Sequence, residues 1–274
     1  MLSLTDGSVK GQQTVGTDPV AVAVSGDGRT AYVADSAPGD VIAVSVPGLT
    51  QVWKTHVGGA PFAILPHGGR LYVSLFDGAA VVELDPATGK QLASHPVAAG
   101  PAALAVDALG RVMVAGTRGA VDFMDGTSVP AGHGFGIAAI GDQVWTADYE
   151  RAELVRTGDH LRVGMPDPIF PFWLAPGAAG TLLISAEGAR EDTDPGGVYS
   201  YDPKTGKFLT IARPKDADKV VQSGSKVFVA AHGDRHVLAI EGGRVSTWAP
   251  NTAVVALEAD PTANLLVVVT NAHE

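Results

Sequence analysis

The chain has 274 residues, of which 46% are hydrophobic, 18% are charged, 34 are glycine and 18 are proline, with no cysteine. This composition excludes a disordered chain, disulfide bonds and thiolate chemistry, and it favours many short strands joined by turns over helices. The formal net charge of −10 argues against nucleic acid and anionic membrane surfaces as partners.

The apolar runs, such as residues 265–269, are far shorter than a membrane span, so we expect no membrane insertion. Residues 1–4 are too short for a signal peptide. The compartment is therefore left open, because an export signal removed from the chain is compatible with this sequence.

One sequence motif, which we call the repeat phrase, recurs along the chain: an apolar strand, a short turn and a second apolar strand. Residues 19–35 are its first copy, and further copies start near residues 61, 101, 134, 171, 217 and 252. The second strand of each copy is rich in β-branched and aromatic residues, as in strands that are packed on both faces. Third and fourth strands follow, joined by glycine-containing turns such as residues 85–90 and 202–207.

The seventh copy ends after two strands, and its missing outer hairpin is predicted at the other end of the chain, in residues 2–5 and 11–15 around the turn Asp6-Gly7. A single four-stranded sheet cannot bury both faces, whereas seven sheets arranged radially bury them against one another. We therefore predict an all-β domain over residues 1–274: a seven-bladed β-propeller of four-stranded antiparallel blades. The N-terminal hairpin pairs with the C-terminal hairpin and closes the ring. The sevenfold phrase disfavours six blades or a β-sandwich.

The repeat phrase resembles a known family. The segments Tyr-Val-Ala-Asp (residues 32–35), Leu-Tyr-Val-Ser (71–74) and Val-Val-Thr-Asn (268–271), with the Asp-Pro-x-Thr-Gly-Lys turns, resemble the YVTN-type repeat over essentially the whole chain. The resemblance implies a propeller whose relatives include lactonases, streptogramin lyases and gluconolactonase-like enzymes, several of them metal-dependent. The Gly-His…Trp-Asp signature of WD40 repeats is absent, and the fold alone does not choose a function.

In a propeller blade, the loops between strands 2 and 3 and the connections between blades lie on one face, which we call the loop face. These loops are variable and charged here, and such loops on a rigid scaffold are where binding usually occurs. Phe172 and Trp173 could form an apolar wall there, or could be core residues between blades. We expect ligand contacts from these two aromatic residues and from six polar ones: Asp77, Arg118, His133, Tyr149, Arg235 and His236.

The residue that follows the second strand is polar in five copies: Asp35, Asp148, Glu187, His232 and Asn271. If these side chains point at one axis, Asp148, Glu187 and Asn271 could hold Ca²⁺ or Mg²⁺, which take oxygen ligands. His232 or Asp35 would then serve as a catalytic base. The alternative is that each side chain only binds the backbone of its own loop.

Two functions follow from these observations. The first is a binding propeller that recognises a small molecule or a protein at its loop face. We expect this protein to be a monomer and not to bind nucleic acid. The alternative is a metal-dependent lactonase- or lyase-like enzyme with its site at the mouth of the channel. Phosphate-binding glycine loops and Gly-x-Ser-x-Gly elbows are absent from the sequence, which disfavours kinase and serine hydrolase chemistry.

Overall fold

The computed structural model describes residues 1–167, 169–190, 194–248 and 251–271. Within these ranges the chain forms short antiparallel strands and one 3-10 turn, Ala178–Gly180. No described helix is long and apolar enough to cross a membrane.

The strands follow the sequence phrase. The first is β1 (Leu2–Ser3), and blade 1 contains β2 (Pro19–Val24), β3 (Thr30–Asp35), β4 (Asp40–Ser45) and β5 (Gln51–His56). Blade 2 contains β6 (Pro61–His67), β7 (Arg70–Leu75), β8 (Ala80–Leu84) and β9 (Gln91–Pro96). Blade 3 contains β10 (Pro101–Val106), β11 (Val112–Gly116), β12 (Ala120–Phe123) and β13 (Ser128–Pro130). Blade 4 contains β14 (Ile137–Ile140), β15 (Gln143–Asp148), β16 (Glu153–Arg156) and β17 (Arg162–Gly164).

The remaining strands complete the ring. Blade 5 contains β18 (Phe170–Pro176), β19 (Leu182–Glu187), β20 (Gly197–Asp202) and β21 (Lys207–Ala212). Blade 6 contains β22 (Ala217–Ser223), β23 (Lys226–Ala231), β24 (His236–Glu241) and β25 (Arg244–Trp248). Blade 7 combines β26 (Ala253–Asp260) and β27 (Leu265–Asn271) with β1.

Each blade is an antiparallel sheet in which consecutive strands are neighbours, and the first strands of successive blades contact one another around the ring, including β26 with β2. Blade 7 has three strands, with a short fourth segment bridged at Val9. This confirms the predicted all-β, seven-bladed architecture. In blade 4 the first strand begins at Ile137, later than the expected 134, where a Cβ on Gly134 would lie 2.6 Å from the Ala147 carbonyl oxygen.

The hydrophobic core lies between blades rather than within them. One cluster joins Trp145 and Leu154 of blade 4 to Ile184 and Tyr199 of blade 5. Equivalent clusters lie between blades 5 and 6, 6 and 7, 7 and 1, 1 and 2, and 3 and 4. Burial of these apolar surfaces is the main favourable contribution to folding.

Hydroxyl groups on second strands also join one blade to the next. The Ser74 Oγ donates to the Ala102 carbonyl oxygen at 2.7 Å, and the Ser185 Oγ donates to the Asp218 carbonyl oxygen at 3.1 Å. Each bond fixes an inner strand against its neighbouring blade, which holds the channel wall in place.

The two chain ends meet in blade 7. Leu2 lies opposite Leu266 in the β1–β27 pairing, and Leu2 and Leu4 are buried beside Phe228 and Leu257. The N-terminal hairpin therefore closes the ring as predicted. Its second arm differs from the expectation, because residues 8–10 hydrogen-bond back to β1 while residues 11–16 form no strand.

A pair of substitutions tests this closure. Leu2→Ala removes a side chain that is 4% exposed and should lower the free energy of unfolding by about 2–5 kcal/mol, because it leaves a cavity between blades 6 and 7. Val9→Ala alters a neighbouring residue that is 58% exposed. This substitution should change the free energy of unfolding by about 0.5 kcal/mol or less. Urea unfolding measures both, and equal effects would contradict the closure.

Candidate functional site

Backbone hydrogen bonds define which residues are equivalent at the ends of the second strands. The first residue beyond the second strand donates its backbone N–H to the carbonyl oxygen of a residue that precedes the first strand of the same blade: Ser36 to Asp18, Phe76 to Ala60, Thr117 to Gly100, Tyr149 to His133 and His232 to Asp216. The pairings of Glu187 with Phe170 and of Asn271 with Ala253 place these two residues in the same ring. Asp35 and Asp148 lie one position earlier, as the last residues of β3 and β15.

This register separates residues that the sequence treated as one ring. Because successive side chains of a strand point to opposite faces, Asp148 faces a different way from Glu187 and Asn271. The predicted calcium or magnesium ligands therefore occupy two registers. The aligned repeat phrase could not show this, because the blades differ by one residue at this point.

Asp35 and Asp148 are buried and already hold strong partners. The Asp35 Oδ1 accepts the N–H groups of Thr17 and Asp18 at 3.0 and 2.6 Å, which fixes the entry into β2. The Asp148 Oδ2 lies 2.9 Å from the Arg162 Nη1 and 3.3 Å from the Arg151 Nη1. Two guanidinium groups thus compensate the Asp148 charge, which disfavours a second cation at the same carboxylate.

Six half-buried aromatic side chains meet at the mouth of the channel on the loop face. We call them the aromatic cluster, and they come from blades 2, 4 and 5: Phe62, Phe76, Phe135, Tyr149, Phe170 and Phe172. Ring centroids are 5.0 Å apart for Phe135–Phe172, 6.0 Å for Phe62–Phe135 and 5.1 Å for Tyr149–Phe170. Contacts between such distant parts of the chain are possible only where the blades converge.

The local backbone explains how the aromatic cluster forms. The inner strands β6 and β18 carry register shifts after Pro61 and Pro171, so Phe62 and Phe172 are left unpaired with the neighbouring strand. Such bulges redirect a side chain, and here the two rings lie against Phe135. Phe172 and Tyr149 were predicted from the sequence, while the other four rings were missed. An aromatic residue directly after the first residue of a copy, as in Pro61-Phe62 and Gly134-Phe135, is the signal that could have found two of these four rings.

A carboxylate borders the aromatic cluster. The Tyr149 hydroxyl donates to the Glu187 Oε2 at 2.6 Å, and Glu187 is 5% exposed. Hydrogen bonds to an ionised acceptor are short and strong. The Tyr149–Glu187 pair therefore places a hydrogen-bonded carboxyl group beside apolar rings.

The channel wall continues into blades 6 and 7 with two ionisable side chains, Lys219 and Glu258. The Lys219 Nζ lies 4.9 Å from the centre of the Trp173 ring, so Trp173 contacts the Lys219 amine as well as the core. Burial lowers the pKa of the Lys219 ammonium and raises that of the Glu258 carboxyl, and the attraction between the two groups opposes both shifts. Burial thus favours the neutral form of each group.

A second group of polar residues lies at the same end of blade 6. We call it the acid–histidine cluster: Asp216, Asp218 and His232, whose possible ligand atoms all lie within 4.8 Å of one another. The His232 Nδ1 is 3.4 Å from both the Asp216 Oδ2 and the Asp218 Oδ2. His232 was predicted and the two aspartates were missed. The signal was Asp218-Lys219, charged residues where other copies have apolar ones.

The remaining predicted residues are spread around the loop face. Asp77, Arg118 and Arg235 are exposed on loops of blades 2, 3 and 6. His133 is half-buried beside Gly119, where a Cβ would lie 2.5 Å from the His133 Nε2. His236 begins β24 and pairs with Ala231. These residues thus belong to blades 2, 3, 4 and 6 rather than to one group.

A cavity of about 650 Å³ lies at the interface between blades 7 and 1. Aliphatic side chains such as Val33, Leu49 and Val267 and the backbone of residues 11–17 line it. Its described lining has no ionisable side chain. The channel mouth, which combines charge with aromatic surface, is therefore the better candidate for a functional site.

Substitution of Glu258 tests the channel charges. Because the folded-state pKa of Glu258 is raised above 4.5, its contribution to stability is fully present below about pH 4.5 and is lost as the pH rises through that pKa. Gln does not titrate, so the melting temperature of Glu258→Gln relative to the wild type should rise between about pH 4 and about pH 7. The exposed Glu150→Gln is the control, and a relative melting temperature independent of pH would refute the assignment.

Comparison with known proteins identifies the fold. No protein family model and no curated protein sequence matches the chain. The β-propeller domain of Cps50 (Swd1) from Myceliophteria thermophila is similar in structure, with a TM-score of 0.74, 12% identity and coverage of 95% of this chain and 96% of that one.

Two further structures are similar. BamB from Moraxella catarrhalis has a TM-score of 0.61 and 17% identity over 93% of this chain and 81% of its own. A functionally unknown protein from Desulfotomaculum acetoxidans has a TM-score of 0.67 and 12% identity over 88% and 90%. At these sequence identities the structural similarity concerns the architecture alone. Together with the strand topology, this similarity shows that the chain is a seven-bladed β-propeller.

Proposed function

We propose that this protein is an interaction propeller that binds a basic segment of a partner protein at the mouth of its channel. The aromatic cluster carries the proposal, because six half-buried rings converge there on the loop face. β-Propellers commonly serve as scaffolds for protein interactions. The YVTN-type assignment of the repeats belongs to the same proposal, since it rests on the repeat phrase.

The chemistry of the mouth favours a cationic side chain. Aromatic ring faces attract guanidinium and ammonium groups, and Glu187 supplies a carboxylate next to Tyr149. The net charge of −10 would also steer a basic partner toward the protein. Aromatic residues in partly desolvated positions are typical of the few contacts that dominate binding energy at interfaces.

Fluorescence anisotropy with labelled heptapeptides tests this function. We expect an arginine-containing peptide to bind more tightly than a glutamate-containing peptide of the same length, and its affinity to fall with salt. Phe135→Ala should weaken the arginine peptide about 3- to 30-fold, the range of a lost cation–π contact. Leu209→Ala is the control, because Leu209 is 66% exposed on the outer strand β21.

Two results would overturn the proposal. One is equal affinity for the basic and acidic peptides, and the other is unchanged affinity in both Phe135→Ala and Glu187→Gln. Melting temperatures of all variants should be measured alongside, so that loss of binding is separated from loss of folding.

One observation supports the second candidate, a lactonase- or lyase-like enzyme. The His232 imidazole faces two carboxylates at the same end of the channel, an arrangement that can orient a general base. Under this hypothesis, hydrolysis of a simple lactone such as γ-butyrolactone should be lost in His232→Gln and retained in His95→Gln, because His95 lies on the outer strand β9. If the wild-type protein does not hydrolyse the lactone, this second candidate loses its support and binding stays as the proposed function.

A further inference from the structure

The acid–histidine cluster carries an inference that is independent of peptide binding at the aromatic cluster. Its residues come from two neighbouring strands of blade 6: Asp216 precedes β22, Asp218 lies within it and His232 follows β23. The backbone N–H of His232 donates to the backbone carbonyl oxygen of Asp216 at 2.9 Å, which holds the two chain segments together. The Ser185 hydroxyl fixes Asp218 from blade 5. The cluster is therefore built on rigid elements.

Within the described part of the chain, the carboxylate of Asp216 is incompletely satisfied. Its side chain is 2% exposed, and its Oδ1 has no hydrogen-bond partner among the described residues. The Oδ2 of the same carboxylate faces the His232 Nδ1. A buried carboxylate oxygen without a donor is costly, and a bound cation is one way to compensate it.

The two distances from the His232 Nδ1 to the carboxylates suit ligand atoms that share one metal ion. The two contacts of the His232 Nδ1 measure 3.4 Å, beyond the usual range of about 2.7–3.2 Å for N–H···O bonds. Two ligand atoms at about 2.0–2.1 Å from a tetrahedral Zn²⁺ lie about 3.3–3.4 Å apart. Two carboxylates also balance the charge of a divalent cation.

We propose that Asp216, Asp218 and His232 form a binding site for a divalent transition metal ion of the Zn²⁺ type, with water completing its coordination. An imidazole ligand favours Zn²⁺ and related ions over Ca²⁺ and Mg²⁺, which prefer oxygen ligands throughout. To bind the ion, the His232 Nδ1 must be deprotonated, so binding weakens as the pH falls. This site differs from the calcium or magnesium site expected from the sequence at Asp148, Glu187 and Asn271.

Isothermal titration calorimetry on the full chain tests the site. Any bound metal is first removed with a chelator, and the chelator is then removed by dialysis. Zn²⁺ should bind with one equivalent and raise the melting temperature by about 3 °C or more at saturating concentration. Mg²⁺ and Ca²⁺ should bind at least tenfold more weakly. Replacement by Co²⁺ should give the visible absorption bands of a four-coordinate ion.

Variants then identify the ligands. Asp216→Asn, Asp218→Asn and His232→Gln should each lower Zn²⁺ affinity at least tenfold, whereas His236→Gln and His95→Gln should leave it unchanged. Without metal, Asp216→Asn should melt at the wild-type temperature or above it, because a buried charge is removed. Loss of binding in that variant is therefore not loss of folding.

The proposal would be overturned by either of two outcomes. One is that none of Zn²⁺, Co²⁺, Mg²⁺ and Ca²⁺ binds the wild type. The other is that Asp216→Asn and Asp218→Asn bind Zn²⁺ with wild-type affinity, which would assign the ion to exposed histidines.

Discussion

The pairing of β1 with β27 is the interaction on which the rest of the structure depends. Each blade buries both faces against its neighbours, so no blade has a complete core until the ring is closed. Leu2 and Leu4 provide the last part of the interface between blades 6 and 7, and the channel wall is positioned only when that interface is present. Closure at the chain ends therefore supports a site formed mainly by blades 2, 4, 5 and 6.

Small irregularities in the inner strands turn this common architecture into a particular surface. Register shifts after Pro61, Pro171 and Ala217 leave Phe62, Phe172 and Asp218 outside the regular pairing. Two of these residues join the aromatic cluster and the third joins the acid–histidine cluster. The same backbone device thus contributes apolar rings to one cluster and a carboxylate to the other.

The two clusters suit different tasks on one face. The aromatic cluster and Glu187 offer a broad surface with negative charge, which suits a basic segment of a partner. The acid–histidine cluster is compact and rigid, which suits a single ion. Our two proposals rest on different residues, so each can fail without the other.

The sequence by itself determined the architecture, because the period of its apolar phrase and the shared seventh copy allow few other folds. It also predicted a loop face and candidate residues such as His232, Tyr149 and Phe172, which the structure places in the two clusters. Only the tertiary structure decided which side chains meet. A one-residue difference between blades moved Asp35 and Asp148 away from the ring of Glu187, and local bulges brought Phe62 and Asp218 into the two clusters. Such offsets depend on hydrogen-bond register between strands, which the repeat phrase does not specify.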